Sequence, residues 1–305
     1  MKLVKYCMKN KEWEFLMTTL DVDRLHHLIA DEQEILEWYG KIDGLVAEII
    51  AEAGTANVLI ISDHGGGKTA KEFYVNEFLR EKGFLVLKKK YKNKGSTMLV
   101  RAGLSMENLL KFIQITKLDR ILVKVLPDKV WDFAKTKVPR KEVQFQEAEI
   151  DWLKTKAFSP FTSTGAIQIN LAGREQYGIV KKEEYASVVA EIIHEMHAIH
   201  DEGKKLKIEA YPANEIYHGE ESGKAPDITY ILDDWHYFPK ISFPGAVMKK
   251  PRDPGHHRTH GIFIAAGPSV KKKKIEKASV IDIVPTILKL FGIRQPENID
   301  GKSLL

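Results

Sequence analysis

The stretch Asn57-Val58-Leu59-Ile60-Ile61-Ser62-Asp63-His64-Gly65-Gly66-Gly67 decides how the rest of the chain is read. Its apolar run, mostly β-branched, leads straight into an Asp-His pair and three glycines, the pattern of a buried parallel strand ending in an open loop. In open α/β sheets ligands bind beyond the carboxyl ends of the strands, so Asp63 and His64 are aimed at a site. Glycine lets the backbone turn sharply there without covering either side chain.

Three readings compete for these residues. Asp, His and Gly are ordinary turn formers at any strand end. The run Ser62-Asp63-His64-Gly65-Gly66-Gly67-Lys68-Thr69 also ends like a phosphate loop, but Ser62 stands where that pattern needs glycine, and the Asp63 carboxylate would sit inside an anion cradle. A metal site is the third reading, and it predicts more ligands at other strand ends.

Working outward towards the N-terminus, residues 35–53 form an amphipathic helical pattern (Ile35, Trp38, Ile42, Leu45, Val46, Ile49) that closes on Gly54. Before it comes Leu20-Asp21-Val22-Asp23-Arg24-Leu25-His26-His27. If a helix starts here, Asp23 and His27 stand four residues apart on one face and can hold one ion together. Residues 13–20 read as a short buried strand and 2–11 as the end of a helix, so strand, helix and strand compose a βαβ unit of a parallel sheet.

Working outward in the other direction, residues 71–82 read as a helix, 84–88 as a short strand, 106–126 as a helix broken by Pro127, and 137–152 as loosely patterned. Together, residues 73–152 read as an insertion over the sheet. Residues 166–171 alternate like a strand, and Gly173-Arg174-Glu175 is the turn after it; Arg174 is a candidate contact for a substrate phosphate, with a salt-bridging or capping role as the competing reading. The helix at 183–200 carries His194, His197 and His200 with Glu195, but a metalloprotease helix needs two histidines four apart, so this is read as a surface face. Residues 226–233 form another strand pattern with Asp227 at its entrance. Then comes Arg252-Asp253-Pro254-Gly255-His256-His257-Arg258-Thr259-His260-Gly261, three histidines in five residues beside the strand 262–266, which supplies at least one candidate ligand. A helix at 279–291 stops at Gly292.

Composition bounds the alternatives. At 305 residues, 44% apolar and 29% charged, the chain is an ordinary globular protein with a real core. A net charge of +5, from 47 basic and 42 acidic residues, gives no basis for a specific nucleic-acid partner, and the lysine clusters at 88–90 and 271–274 lack interleaved aromatic residues. The one cysteine, Cys7, excludes an internal disulfide and fits a reducing compartment. No apolar run approaches the ~20 residues that span a bilayer, so a cytoplasmic location without membrane attachment is expected.

Several motifs together resemble one family, the type I phosphodiesterase/nucleotide pyrophosphatase group of the alkaline phosphatase superfamily. They are Asp23-Arg24-Leu25-His26-His27, Tyr39-Gly40-Lys41-Ile42-Asp43, Ser62-Asp63-His64-Gly65, Val75-Asn76-Glu77-Phe78-Leu79, Asp151-Trp152, Asn170-Leu171-Ala172-Gly173-Arg174-Glu175, Ala225-Pro226-Asp227, Gly255-His256-His257, and Asp282-Ile283-Val284-Pro285-Thr286 with Asp300-Gly301. They run through the chain in the family's order.

The resemblance implies an α/β, alkaline-phosphatase-like three-layer fold with a mainly parallel central sheet and an inserted cap, the whole of residues 1–305 forming one domain. It implies a hydrolase of phosphodiester or nucleotide pyrophosphate bonds that uses two divalent metal ions, zinc first, with manganese or iron compatible with the same ligands. Asp23, His27 and His257 are expected at one ion, Asp63 and His64 at the other. His257 is preferred because Gly255 and Gly261 match the glycines that flank the family's ligand, with His256 and His260 as alternatives. Family members carry the first aspartate ligand and a Thr or Ser nucleophile in a preceding βα section to which no residues here correspond. An N-terminally truncated chain, inactive as encoded, or a partner chain supplying that section is therefore expected. The rival expectation is a non-catalytic remnant that binds metal or a partner.

Overall fold

Helix α1 (Lys2–Asn10) begins the part of the chain described by this computed structural model, which covers residues 2–88, 150–161 and 163–305. Residues 11–22 then carry neither helix nor strand, and Phe15 and Met17 are exposed, so the buried strand expected at 13–20 does not form. Helix α2 (Asp23–Leu28) and helix α3 (Glu32–Ala53) follow. Asp31 starts α3 by accepting the Gln33 and Glu34 N–H groups at 2.8 and 3.2 Å, Glu32 and Glu34 favour its N-terminal dipole, and Gly54, at φ 57°, lets the chain leave it. Strands β1 (Val58–Ile61) and β2 (Gly65–Lys68) come next. With no strand ahead of α3, the expected βαβ unit is absent. The Gly-Lys-Thr segment lies in and beside β2 rather than opening a helix, which removes the phosphate-loop reading.

These residues, with the C-terminal segment, belong to one compact unit (Met1–Thr69 and Asp253–Leu305); Ala70–Arg252 form the other. The second unit opens with β3 (Lys71–Tyr74) and α4 (Val75–Glu81), where a single helix was expected from 71 to 82. The expected strand at 84–88 is reduced to a bridge between Leu87 and Ile150. The patterns read at 106–126 and 137–149 lie outside the described residues.

After β4 (Ala157–Phe158), β5 (Ala166–Ile169), α5 (Tyr185–His197), the hairpin β6 (His200–Asp201) and β7 (Lys204–Lys205), β8 (Ile208–Pro212) and α6 (Ala213–Ile216), the chain forms β9 (Ile228–Leu232), β10 (Tyr237–Lys240) and β11 (Met248–Lys249). An antiparallel sheet in the order β4-β5-β9-β8 and a mixed sheet in the order β10-β3-β11 result. Alternation along β9 buries Ile228, Tyr230 and Leu232 against Ile167, Ile192 and Phe73, giving this unit a continuous apolar core.

Back in the first unit, β12 (Gly255–Arg258) pairs antiparallel with β2, and β13 (Phe263–Ala266) pairs antiparallel with β1. The mainly parallel central sheet is therefore not what the described residues form; among their ladders β3–β10 is the parallel pair. Run length and hydrophobicity define a strand but not the direction of its neighbour, and the neighbour of β1 arrives from about two hundred residues later running the opposite way. Helix α7 (Ile283–Leu290) closes this unit. Asp282 accepts the Ser279 and Lys302 N–H groups at 2.8 and 2.9 Å, while Thr286 donates to the Asp282 carbonyl and accepts the Leu304 N–H at 3.0 Å. These contacts tie the C-terminal residues to α7. No helix among the described residues is long and apolar enough to cross a membrane.

Candidate metal centre

The two ladders β1–β13 and β2–β12 are successive parts of one antiparallel ribbon. Ser62 N–H donates to Ile262 O at 3.1 Å, and Gly65 pairs with Arg258. Between these points residues 63–64 face residues 259–261, two against three, which is a β-bulge. The bulge requires glycine on both sides: a Cβ on Gly65 would lie 2.1 Å from His260 O, and one on Gly261 would lie 2.3 Å from Ser62 Oγ. Asp63 and His64 stand at this irregularity, where a bulge re-aims side chains away from strict alternation.

Helix α2 lies against the β2–β12 ribbon, and the glycines explain how closely. A Cβ on Gly66 would fall 2.3 Å from the His26 ring, and one on Gly255 would fall 2.7 Å from His26 O. His26 is itself held by a 3.0 Å hydrogen bond to the Tyr39 hydroxyl. Asp23 and His27, one turn apart on α2, face the ribbon's histidines. His27 Nε2 lies 3.1 Å from Asp23 Oδ2, and its ring meets those of His256 and His257 edge-on, with centroids 4.7 and 5.5 Å away. The His64 and His257 rings are 4.1 Å apart.

Two sets of donors converge. One atom each from Asp23, His64 and His257 lie within 4.8 Å of one another, and so do one atom each from His27, Asp253 and His256. Each set offers two imidazoles and one carboxylate, a donor set suited to zinc, manganese or iron with positions left open. His64 donates Nδ1–H to Gly65 O at 2.9 Å, which places its proton there and leaves the Nε2 lone pair to bind a cation. Burial lowers the His257 pKa, the neighbouring His64 lowers it further, and Asp23 opposes both; the net effect favours a neutral imidazole, the form a metal needs.

Asp23, His27, His64 and His257, expected at the site from the sequence, are thus gathered in one region. Asp63 is beside them but turned outward: its side chain is 85% exposed, its Oδ1 accepts its neighbour's His64 N–H, and its Oδ2 is 3.6 Å from His64 Nε2. Asp253 is the residue that sequence reasoning left aside, and His256 stood only as an alternative to His257. Both stood in the quoted histidine patch, where the flanking glycines favoured His257 only through the family resemblance. Strand geometry separates the two histidines, because consecutive side chains of β12 point to opposite sides, leaving His256 buried and His257 half exposed.

Arg174 belongs to the other unit. Its guanidinium makes a bidentate contact with Asp227 at 2.8 and 2.6 Å and a further bond to Ile169 O, while Asp227 also accepts the Tyr185 hydroxyl and the Ile169 N–H. The same motif set supplies Asn76, which bonds Ser159 and Ile241 backbone atoms, and Asn170, whose amide nitrogen donates to Trp152, Thr155 and Tyr177 carbonyls. These motif residues brace the second unit's loops.

The sequence profile of the type I phosphodiesterase / nucleotide pyrophosphatase family matches residues 2–263. No curated protein and no solved structure matches the chain.

Proposed function

Because the chain belongs to the type I phosphodiesterase / nucleotide pyrophosphatase family, a group of hydrolases with an alkaline-phosphatase-like α/β fold, we propose that it hydrolyses phosphodiester or nucleotide pyrophosphate bonds at a centre of two divalent metal ions. The observation that carries this reading is the convergence of Asp23, His64 and His257 from a helix, a bulge and a distant strand. The three come from segments far apart in sequence, and Gly66 and Gly255 let α2, which carries Asp23, approach the ribbon closely. His27 and Asp63 extend the ligand set, and zinc is the first choice of metal.

The bound ions would supply Lewis-acid stabilisation of the attacking and leaving oxygens, whose charge grows as the phosphoester bond breaks. The chain's own part is to orient and to keep protons in place. His64 presents Nε2 because Gly65 O holds its Nδ1 proton, and Asp23 fixes the His27 ring through the 3.1 Å contact. Burial and the neighbouring His64 keep His257 in the neutral form that a cation needs near pH 7. Arg174 as a contact for substrate phosphate remains part of this reading only if it exchanges Asp227 for the substrate, which would cost the buried carboxylate its partner.

The test is turnover of a chromogenic phosphodiester by the full chain after chelation and readdition of zinc or manganese. Metal-dependent hydrolysis is expected, reduced at least about a hundredfold in His64→Ala, since even the supporting partners of ligands contribute ten- to a hundredfold. Turnover that survives chelation or is unchanged in His64→Ala would overturn the reading.

A further inference from the structure

We propose that Tyr39 is a positioning residue: through His26 it seats helix α2 on the ribbon, so that Asp23 and His27 are aimed at the ribbon's histidines before any ion binds. The first argument is that α2 is not self-supporting. It is six residues long, its N-terminal flank at Val22 supplies no side-chain cap, and none of its residues is buried. Isolated helices shorter than about 12–15 residues are marginal in water, so α2 keeps its place through contacts with its neighbours. Asp23 and His27 meet the ribbon with the same groups that would hold a cation. His26 is the α2 side chain whose grip does not use those donors.

The second argument is the geometry of that grip. On the ribbon side the His26 ring lies against bare backbone, since a Cβ on Gly66 would fall 2.3 Å from its Cδ2, 2.7 Å from its Cγ and 2.8 Å from its Nε2. On the other side Tyr39, from α3, places its hydroxyl 3.0 Å from His26 Nε2, with the two rings 5.9 Å apart at 53°. One imidazole is thus clasped between β2 and a helix that Asp31 caps independently. The third argument is leverage. Asp23, His26 and His27 stand at i, i+3 and i+4 on one face, so any shift of α2 that frees His26 carries both donors with it. Apparent affinity scales with the fraction of chains that hold the competent arrangement, and Tyr39 raises that fraction.

The inference rests on the reading of Asp23 and His27 as metal ligands, but one arm of its experiment uses no metal. In the chelated full chain, solvent exchange of the Ile29 amide, which donates to Leu25 O at 2.9 Å, is followed by NMR as a measure of how well α2 is held. Tyr39→Phe removes only the hydroxyl of a partly exposed side chain, and it should speed this exchange about two- to tenfold, as for loss of one hydrogen bond. Gly66→Ala, which pushes the His26 ring without touching Tyr39, should speed it at least about fivefold. Leu36→Ala, 62% exposed on the same α3, should leave it unchanged. In the second arm, calorimetric titration with zinc should show Tyr39→Phe weakened by a comparable factor, with no further loss when it is added to His26→Ala. A role confined to general stability would move the unfolding midpoint and leave zinc affinity alone. Unchanged exchange in Tyr39→Phe would overturn the proposal, and so would faster exchange with undiminished affinity or a loss that adds fully to that of His26→Ala. A wild-type chain that takes up no zinc would defeat the two-metal reading, and the exchange arm would then decide the seating of α2 by itself.

Discussion

The two compact units place their apolar side chains differently. Phe73, Ile167, Ile192 and Tyr230 in the second unit are fully buried in one continuous cluster. In the first unit α1, α2 and α3 contain no buried residue, and Leu36, Trp38 and Ile50 on α3 are substantially exposed. Its described order comes instead from a glycine-dependent ribbon, from capping at Asp31 and Asp282, and from ion pairs such as Lys9–Glu52 at 2.8 Å. The difference teaches where each kind of change should act. Packing energy is concentrated in one unit, and the metal-competent chemistry lies in the other, where loosely packed surroundings leave side chains able to adjust to a ligand.

The largest effect that would sharpen this contrast is expected from Asp227→Ala. It removes the bidentate partner of Arg174, which keeps Glu175 at 3.0 Å, and strands the Tyr185 hydroxyl and the Ile169 N–H as well, so with about 1–3 kcal/mol for each stranded group a loss of about 3–5 kcal/mol is expected in denaturant unfolding. Metal stoichiometry should not change; a stability loss below about 1 kcal/mol would break the assignment of Asp227 as a keystone. Next comes a matched pair of truncations. Ile192→Ala, in the core, should cost about 2–5 kcal/mol, whereas Leu36→Ala, 62% exposed on α3, should stay within about 0.5 kcal/mol. Equal effects would erase the distinction between the units.

The smallest effect is a pH dependence. Hydrogen bonds from the Lys302 and Ser279 N–H groups hold the Asp282 carboxyl below its ordinary value of 3.8. A carboxylate with a depressed folded pKa contributes stability that is fully present above its unfolded pKa and fades as the pH falls through the folded one. Asp282→Asn should therefore cost about 1 kcal/mol at pH 7, as for loss of a helix cap, and the gap from wild type should close below pH 3.8. A gap that persisted or widened in acid would show that the side chain acts by packing alone.

Much of this was legible in the chain before any coordinates. Gly54 ends α3 as expected because positive φ is a local property, although the helix starts three residues earlier than the apolar pattern at 35–53, behind Asp31, and the strands at 58–61, 166–169 and 228–232 follow from short apolar or alternating runs. Asp23 and His27 could be placed together because four residues of helix put them on one face. Less was legible where partners are distant. The expected strand at 13–20 fails although its residues are apolar enough, and β1, expected to be parallel, pairs antiparallel with β13.

What the sequence determined by itself was therefore the set of donors: residue types, helical spacing and strand-end position singled out Asp23, His27, Asp63, His64 and the histidine patch at 256–260. Only the tertiary structure decided how they divide. Side-chain alternation on β12, the two-against-three bulge opposite it, and the close approach of α2 over Gly66 bring His64 to His257 and His256 to Asp253, while Asp63 is left facing water. The physical reason is that a donor's identity is written in one residue, whereas its direction depends on the register between segments nearly two hundred residues apart, which no local pattern encodes.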